Sequence, residues 1–300
     1  MSRESRITHV AFSDESYWNI GRYRALGLVT MPYENVTELE EEIRTLLNDS
    51  GLSEFKWKRL SGARERFAAL KLCEFTVEAV CQGKLRVDVL TWDIEDSRHK
   101  VPRRDDVGNL QRMYYHLFKY VLRNCWPDGS VWALYPDESN TMDWDNVKDF
   151  LDRVDTEIEL YQDLFRGGKF KLRLIREFQV YEIKPVSSDS YPFTQIADLF
   201  GGLSVFSRVH YDKFDEWLTK QEGSLFSLKV GDELDGIARM SKSMQERCCV
   251  LARFDTLCKS RKLGVSLKTR RGLWTPDPKN PINFWPYTPQ HPLDKAPTKR

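Results

Sequence analysis

Four carboxylates stand at places from which a folded chain can bring them together. Asp14 closes a short hydrophobic run, Glu54 lies in "SEFKWKR", Asp137 follows "VWALY", and Asp198 sits within the apolar stretch "PFTQIADLFGGLSVF". Asp93, after "VDVLTW", is a fifth candidate. Hard divalent cations such as Mg²⁺ and Mn²⁺ prefer oxygen ligands, and a two-metal phosphodiester-cleaving site holds its ions roughly 3.5 to 4 Å apart. Several carboxylates must converge to balance that charge. One ion then helps to generate hydroxide from water while the other stabilises the leaving oxygen.

Each acid also has a structural reading. Asp14 and Asp137 suit turns or helix caps, the latter within the turn-like "PDES". Glu54 can pair with Lys56 or Lys58 across solvent, and Asp198 can be one half of a salt bridge. Asp198 shares a helical face with Gln195, three residues before it. In so apolar a helix its charge must reach an edge, a partner or a cation, because an unpaired buried charge is costly. Gly201 and Gly202 just beyond it let that helix approach a sheet closely.

The elements that must position these acids alternate along the chain. Ile7 to Ser13 reads as a first strand and "RYRALGLVTM" as a second, pairing with it through "SYWNIG". Val36 to Leu47 has apolar residues at helical spacing and acids near its start, which suits the helix dipole. A second amphipathic helix runs from Ala63 to Val80, followed by the strand "LRVDVLTW". A helix from about Asn109 to Arg123, the strand Val131 to Tyr135 and a helix from Trp144 to Leu160 come next. A strand pair around "KLRLIR" and "FQVYEI" precedes a helix opened by Pro192. Strands recurring between helices predict an α/β layer fold with helices covering a mixed sheet.

Beyond Tyr211 the chain reads as helical and charged to about Ser260, and then as a basic, Pro-rich end. The predicted division is a core over residues 1–210 and, over 211–300, a helical and Pro/aromatic-rich extension packed on it.

Composition narrows the classes. The chain has 300 residues, is 41% hydrophobic and 30% charged, and carries a formal charge of +1, which is a globular balance. That near-neutrality argues against an overall electrostatic tether to nucleic acid or membrane but permits a local basic surface. No apolar run approaches the roughly 18 to 20 residues of a membrane span, and the N-terminus lacks a signal-like apolar core, so the expectation is a soluble cytoplasmic protein with no membrane partner. Six scattered cysteines, none in a CxxC pair, predict reduced thiols. Five histidines without an HExxH motif give little support to zinc. Neither a GxSxG elbow nor a GxxxxGK[ST] loop occurs, and His116 and His210 read as structural. The adjacent Cys248 and Cys249 read as part of a partly apolar helix.

"FSDES", "EFKWKRL", "YPDES" and "YPFTQIADLFGG", in that order, together resemble the DUF3800 family, a broad microbial family placed with the ribonuclease H-like folds. The resemblance spans about Ile7 to Arg208, and "GLWTP…PINFWPY" is similar to a C-terminal extension of some members. It implies a ribonuclease H-like mixed sheet and hydrolysis of DNA or RNA phosphodiesters with Mg²⁺ or Mn²⁺. Asp14, Glu54, Asp137 and Asp198 then become the catalytic and metal-holding acids, with Asp93 or Glu138 competing for the third role. Glu15 and Lys56 fall near the centre, and Gln195 orients or contacts the last helix. Tyr17 stands where the family usually has a glycine after "DES".

Outside these motifs, "KVPRR" and "KTRRG" carry charge able to meet phosphates; Lys268, Arg270, Arg271 and the nearby Trp274 are the nucleic-acid contact candidates. "INFWPY" reads as a packing latch, with a protein interface as the alternative. The leading expectation is a metal-dependent nuclease, the runner-up a nucleic-acid or protein binding module without turnover, and the third a hydrolase of small phosphorylated molecules. A nuclease of this kind also suits defence against foreign nucleic acid.

Overall fold

The computed structural model describes residues 6–96, 105–138, 142–154, 156–161, 171–176, 178–226 and 240–288. "KVPRR", Lys100 to Arg104, lies outside the described residues.

The chain begins with β1 (His9–Ser16) and β2 (Tyr23–Pro32), then α1 (Val36–Asp49) and α2 (Ala63–Cys81). β3 (Arg86–Asp93), α3 (Asp106–Asn124), β4 (Ser130–Pro136) and α4 (Trp144–Val154) follow. Next come β5 (Thr156–Tyr161), β6 (Lys171–Arg176), β7 (Phe178–Ile183), α5 (Phe193–Val209), α6 (Tyr211–Phe226), α7 (Lys242–Ser260) and β8 (Ile282–Pro286). Six strands form one mixed sheet in the order β7-β4-β1-β2-β3-β8. β2 is antiparallel to both β1 and β3, while the pairs β1/β4, β4/β7 and β3/β8 are parallel.

Period-two alternation sends β1 side chains to two different cores. Val10 and Phe12 join one buried cluster with residues of α1, α2, α5 and α7, whereas Ala11 joins another built around α3 and α4. α3 shows why it lies on the sheet: Leu110, Met113, Tyr114, Leu117, Phe118 and Val121 recur at helical spacing and are buried. Its N-cap Asp105 accepts the Gly108 amide at 2.8 Å. α5 is buried on almost every face, as its near-continuous apolar sequence requires. It can press on β2 because Gly27 has no side chain; a Cβ there would collide with the Ala197 carbonyl.

Two expectations are corrected and a third is refined. The helix foreseen from Trp144 to Leu160 ends at Val154, and "TEIELY" forms β5, in keeping with its polar/apolar alternation. β6 pairs with β5 in a separate two-stranded sheet, and β7 pairs with β4, so "KLRLIR" and "FQVYEI" are not each other's partners. "INFWPY" does pack on the core, but it does so as β8, a strand beside β3. Through α7 and β8 the 211–300 region shares the larger core; Val250, Phe254, Ile282 and Phe284 are buried in it. Among the described residues, no helix is long and apolar enough to cross a membrane.

Candidate active site

The parallel pairing of β1 and β4 fixes the first two acids. Ser13 stands in register with Pro136, and the Asp137 amide donates to the Ser13 carbonyl at 2.8 Å. The ends of the two strands therefore deliver Asp14 and Asp137 side by side. β1 also runs further than its hydrophobic run suggests, to Ser16, so Asp14 lies inside the strand, opposite Gly27.

Glu54 and Lys56 arrive on the loop between α1 and α2, which α5 holds. Gln195 Oε1 accepts the Phe55 amide at 2.7 Å while its Nε2 donates to the Ser188 carbonyl at 2.7 Å. Asp198 Oδ2 accepts the Trp57 amide at 2.6 Å. Ser16 Oγ lies 3.4 Å from both Asp198 Oδ1 and its carbonyl oxygen, which ties β1 to α5. Gly202 leaves the space that the Trp57 ring fills.

The Lys56 ammonium is where the acids meet. Its Nζ lies 3.2 Å from Asp137 Oδ2, 3.6 Å from Asp14 Oδ2 and 3.9 Å from Glu54 Oε1. Glu54 is held further by Ser188 Oγ at 2.5 Å and Arg59 Nη1 at 3.0 Å. Asp14, Asp137, Asp198 and Lys56 line one cleft of about 420 Å³.

Burial, and then the nearby Asp198 charge, push Asp14 well above the usual carboxylate range; Asp137 and Glu15 add to this and Lys56 opposes it. Asp198 is raised by burial, against the pull of the Trp57 amide and Lys56. Burial works against the Lys56 ammonium, but Asp14, Asp137 and Asp198 outweigh it and its pKa is raised. Crowding of the acids in a buried setting thus favours the neutral form of Asp14.

Glu15 points to the opposite face of β1, where Tyr114 Oη donates to its Oε2 at 2.6 Å. It still reaches the cleft wall at the strand end, and burial raises its pKa. Of the competitors for the third role, Asp93 is engaged by Arg22, whose Nη2 lies 2.7 Å from its Oδ2, and by the Glu95 amide at 2.9 Å. Glu138 is exposed just past Asp137, and its amide donates to the Val186 carbonyl at 3.0 Å. Asp137 alone of the three touches Lys56.

The "KTRR" residues do not line the cleft. Arg270 pairs with Asp212 at 2.8 Å, Arg271 stacks over Trp274 at 5.2 Å, and Lys268 is exposed. The Leu273 amide donates to Ser207 Oγ at 2.9 Å, which fastens this turn to the end of α5.

Two contributors were not foreseen. Ser188 holds Glu54, and Arg247 of α7 reaches the cleft, its Nη2 3.3 Å from the carbonyls of Trp57 and Lys58 and its guanidinium 5.5 Å over the Trp57 ring. Arg247 lies in the extension, and its charged "MQERCC" setting carried no signal tying it to the early loop.

Among the described residues, no group of three or more His, Cys, Asp or Glu side chains is gathered tightly enough to hold a metal ion. The donor set nevertheless fits a hard divalent cation in kind: it is all carboxylate oxygen, and burial among like charges leaves Asp14 short of counter-charge.

No protein-family model matches the chain. It is 41% identical over 296 residues to the uncharacterized protein ORF2′ of Methanothermobacter thermautotrophicus, covering 96% of this chain and 97% of that protein. It is 39% identical over 296 residues to the uncharacterized protein ORF2 of the same organism, with the same shares covered.

Proposed function

We propose that this chain, which belongs to the same family as ORF2′ and ORF2 of Methanothermobacter thermautotrophicus, is a Mg²⁺- or Mn²⁺-dependent nuclease that hydrolyses phosphodiester bonds of DNA or RNA. One observation carries the reading: β1, β4 and α5 each deliver a carboxylate to the same cleft, and Glu54 of the α1–α2 loop meets the same Lys56 ammonium from beside it, at 3.9 Å. A mixed sheet with β1 central, antiparallel to β2 and parallel to β4, is compatible with the ribonuclease H-like core that the DUF3800 resemblance implies.

Asp14, Glu54, Asp137 and Asp198 would hold the cation, which when bound lowers the pKa of water and offsets charge on the leaving oxygen. Asp14 is a buried residue, and Asp198 spends one oxygen on the Trp57 amide and keeps the other near Ser16. Lys56 meets the acids as an ammonium, a group that would also suit a phosphate oxygen at this cleft. Arg247 and Lys58 on the cleft wall add positive charge suited to a polynucleotide backbone.

A second reading, a binding module without turnover, draws on a specific observation too: Lys56 already serves as counter-ion to three of the acids. The test separates the two. Purified protein is incubated with labelled single- and double-stranded DNA and RNA and Mg²⁺ or Mn²⁺, beside folded Asp14→Asn and Asp198→Asn variants. Metal-dependent cleavage should fall more than about a hundredfold in both, beyond what loss of an outer-shell partner costs. No cleavage by the wild type, or cleavage that survives both substitutions, overturns the nuclease reading; retained binding without cleavage favours the second.

A further inference from the structure

Tyr17 follows β1 directly at φ +60°, the left-handed region that a bulky side chain adopts only under strain. The Ile20 amide donates to the Tyr17 carbonyl at 3.1 Å, which holds the turn that leads into β2. The Tyr17 ring is exposed and, among the described residues, has no hydrogen-bond or ring partner. Backbone strain of this kind gathers at ligand clamps, where it fixes the position of a side chain. Tyr17 and Ile20 line the carboxylate cleft and also an adjoining groove of about 360 Å³ between this turn and the end of α5.

The wall of the groove is apolar. Phe206 is buried, while Ile20 and Val209 keep 67% and 50% of their surface exposed. Arg208 brings a charge into it. Its guanidinium lies 5.3 Å over the Tyr23 ring, and its Nε is buried without a hydrogen-bond acceptor among the described residues. Burial lowers the Arg208 pKa; Tyr23 and Asp93 oppose this and Arg271 adds to it. Asp93 is already bound to Arg22, the other cation of the groove, which Glu95 also meets at 3.1 Å. No carboxylate is among the residues that line the groove, so the charge of Arg208 has no anion there.

An exposed ring, an apolar wall and a guanidinium lacking its anion match an unpaired nucleotide, which offers a flat base and a phosphate together. In a duplex the base faces are stacked on one another and are not offered to a side chain. An apolar peptide would fill the wall and leave Arg208 unmet. Continuity with the carboxylate cleft supplies the register. Arg208 lies ten residues beyond Asp198 on α5, about 15 Å along the helix at 1.5 Å per residue, a distance that a few nucleotides of one strand span. We propose that this groove receives the unpaired nucleotides that flank the phosphate at the acids, with a base stacked on Tyr17 and a backbone phosphate on Arg208, so that the substrate is single-stranded DNA or RNA. The inference rests on the nuclease reading of the carboxylate cleft, whose failure the experiment reads separately.

Fluorescence anisotropy of the full chain in EDTA follows labelled oligothymidylate, oligouridylate and a DNA duplex of the same length, without metal-dependent cleavage. Wild type is compared with Tyr17→Phe, Tyr17→Gly and Arg208→Gln, and thermal melts establish that each is folded. Glycine relieves the strained backbone, which offsets its own chain entropy, so Tyr17→Gly should melt close to wild type yet bind single strands about fivefold or more weakly. Tyr17→Phe keeps the ring face and should bind like wild type. Arg208→Gln should weaken binding and lower the salt slope by about 0.7. Preference for a single strand over the duplex supports the inference, and the tighter of the two oligomers identifies the sugar. Wild-type affinity in Tyr17→Gly, a duplex bound as tightly as a single strand, or no single-strand binding by wild type overturns it. Cleavage of the same strands in Mn²⁺ keeps the two readings apart. Tyr17-dependent binding without cleavage removes the nuclease and leaves a strand-binding groove, whereas wild-type cleavage by both Tyr17→Gly and Arg208→Gln removes the groove and leaves the nuclease.

Discussion

Gln195, buried in α5, accepts the Phe55 amide at 2.7 Å and so governs where Glu54 and Lys56 stand. Its other end is fixed on the Ser188 carbonyl at 2.7 Å, and Ser188 Oγ in turn holds Glu54. One side chain therefore sets the loop from both sides. Asp198, one turn further along α5, repeats the device on the Trp57 amide at 2.6 Å. The carboxylate cleft is thus arranged by helix-to-loop hydrogen bonds as much as by the sheet.

Replacing Gln195 with Leu strands the Phe55 amide and the Ser188 carbonyl in a buried setting. Leaving such groups unpaired costs about 1 to 3 kcal/mol each, so urea unfolding should show a loss of at least about 2 kcal/mol. Gln195→Glu keeps the acceptor for Phe55 but loses the donor to Ser188, and should fall between wild type and Gln195→Leu. Equal stability of all three proteins would mean that Gln195 does not hold the loop.

Lys56→Met removes the ammonium that Asp14, Asp137 and Glu54 share. Their mutual repulsion is then uncompensated, so the variant should melt below wild type in EDTA. If these acids hold a divalent cation, Mn²⁺ should raise the melting temperature of Lys56→Met more than that of the wild type, because ligand binding to the folded state stabilises it. Calorimetric scans with and without Mn²⁺ measure the difference. A variant as stable as wild type in EDTA would show that the lysine does not balance the acids.

Much of this site was legible because its acids fall where hydrophobic patterns end. Asp14 and Asp137 follow alternating apolar runs, where a turn or cap residue is equally at home, whereas Asp198 interrupts an apolar helix, so patterning by itself marked only Asp198 as out of place. What the sequence left open was long-range pairing. Asp93 and Asp137 both follow a strand, and only the neighbour relations decide between them: β4 lies beside β1, while Arg22 claims Asp93. β8 and Arg247 were hidden for the same reason. A short aromatic segment beside prolines carries little strand signal, and its place at the sheet edge depends on β3, nearly two hundred residues earlier. Trp144 to Leu160 misled because the helical pattern of α4 runs directly into the alternation of β5.

Gly27 sits under α5 at the closest approach of helix and sheet. Gly27→Ala drives a methyl into the Ala197 backbone, which no rotamer change can relieve. A loss of about 2 to 3 kcal/mol is expected by urea unfolding, the upper part of the usual range for overpacking. Gly83→Ala is the contrast: nothing lies within reach of a methyl there, and its cost is set by the backbone alone, at φ +71°. If Gly27→Ala were no more destabilising than Gly83→Ala, α5 would not press on β2 as described.

His9 gives the fold an acid-sensitive contact at the start of β1, five residues before Asp14 of the carboxylate cleft. Its ring lies 4.9 Å from that of Trp132 and 5.0 Å from that of Trp126. Burial lowers its pKa, and Glu34 offsets this only in part. The unfolded chain therefore takes up a proton near pH 6.5, where the folded protein still resists it. The stabilising contribution of neutral His9 is complete above about pH 6.5 and is lost as the pH falls from there through the lowered folded-state value. His9→Gln removes the titration, so the stability difference between pH 7.5 and pH 5.5, measured by denaturant unfolding, should be smaller in the variant. Buried carboxylates with raised pKa, such as Asp14 and Asp198, act with the opposite sign, but they are common to both proteins and cancel in the comparison. An equal pH dependence in the two proteins would mean that the His9 ring protonates as freely folded as unfolded.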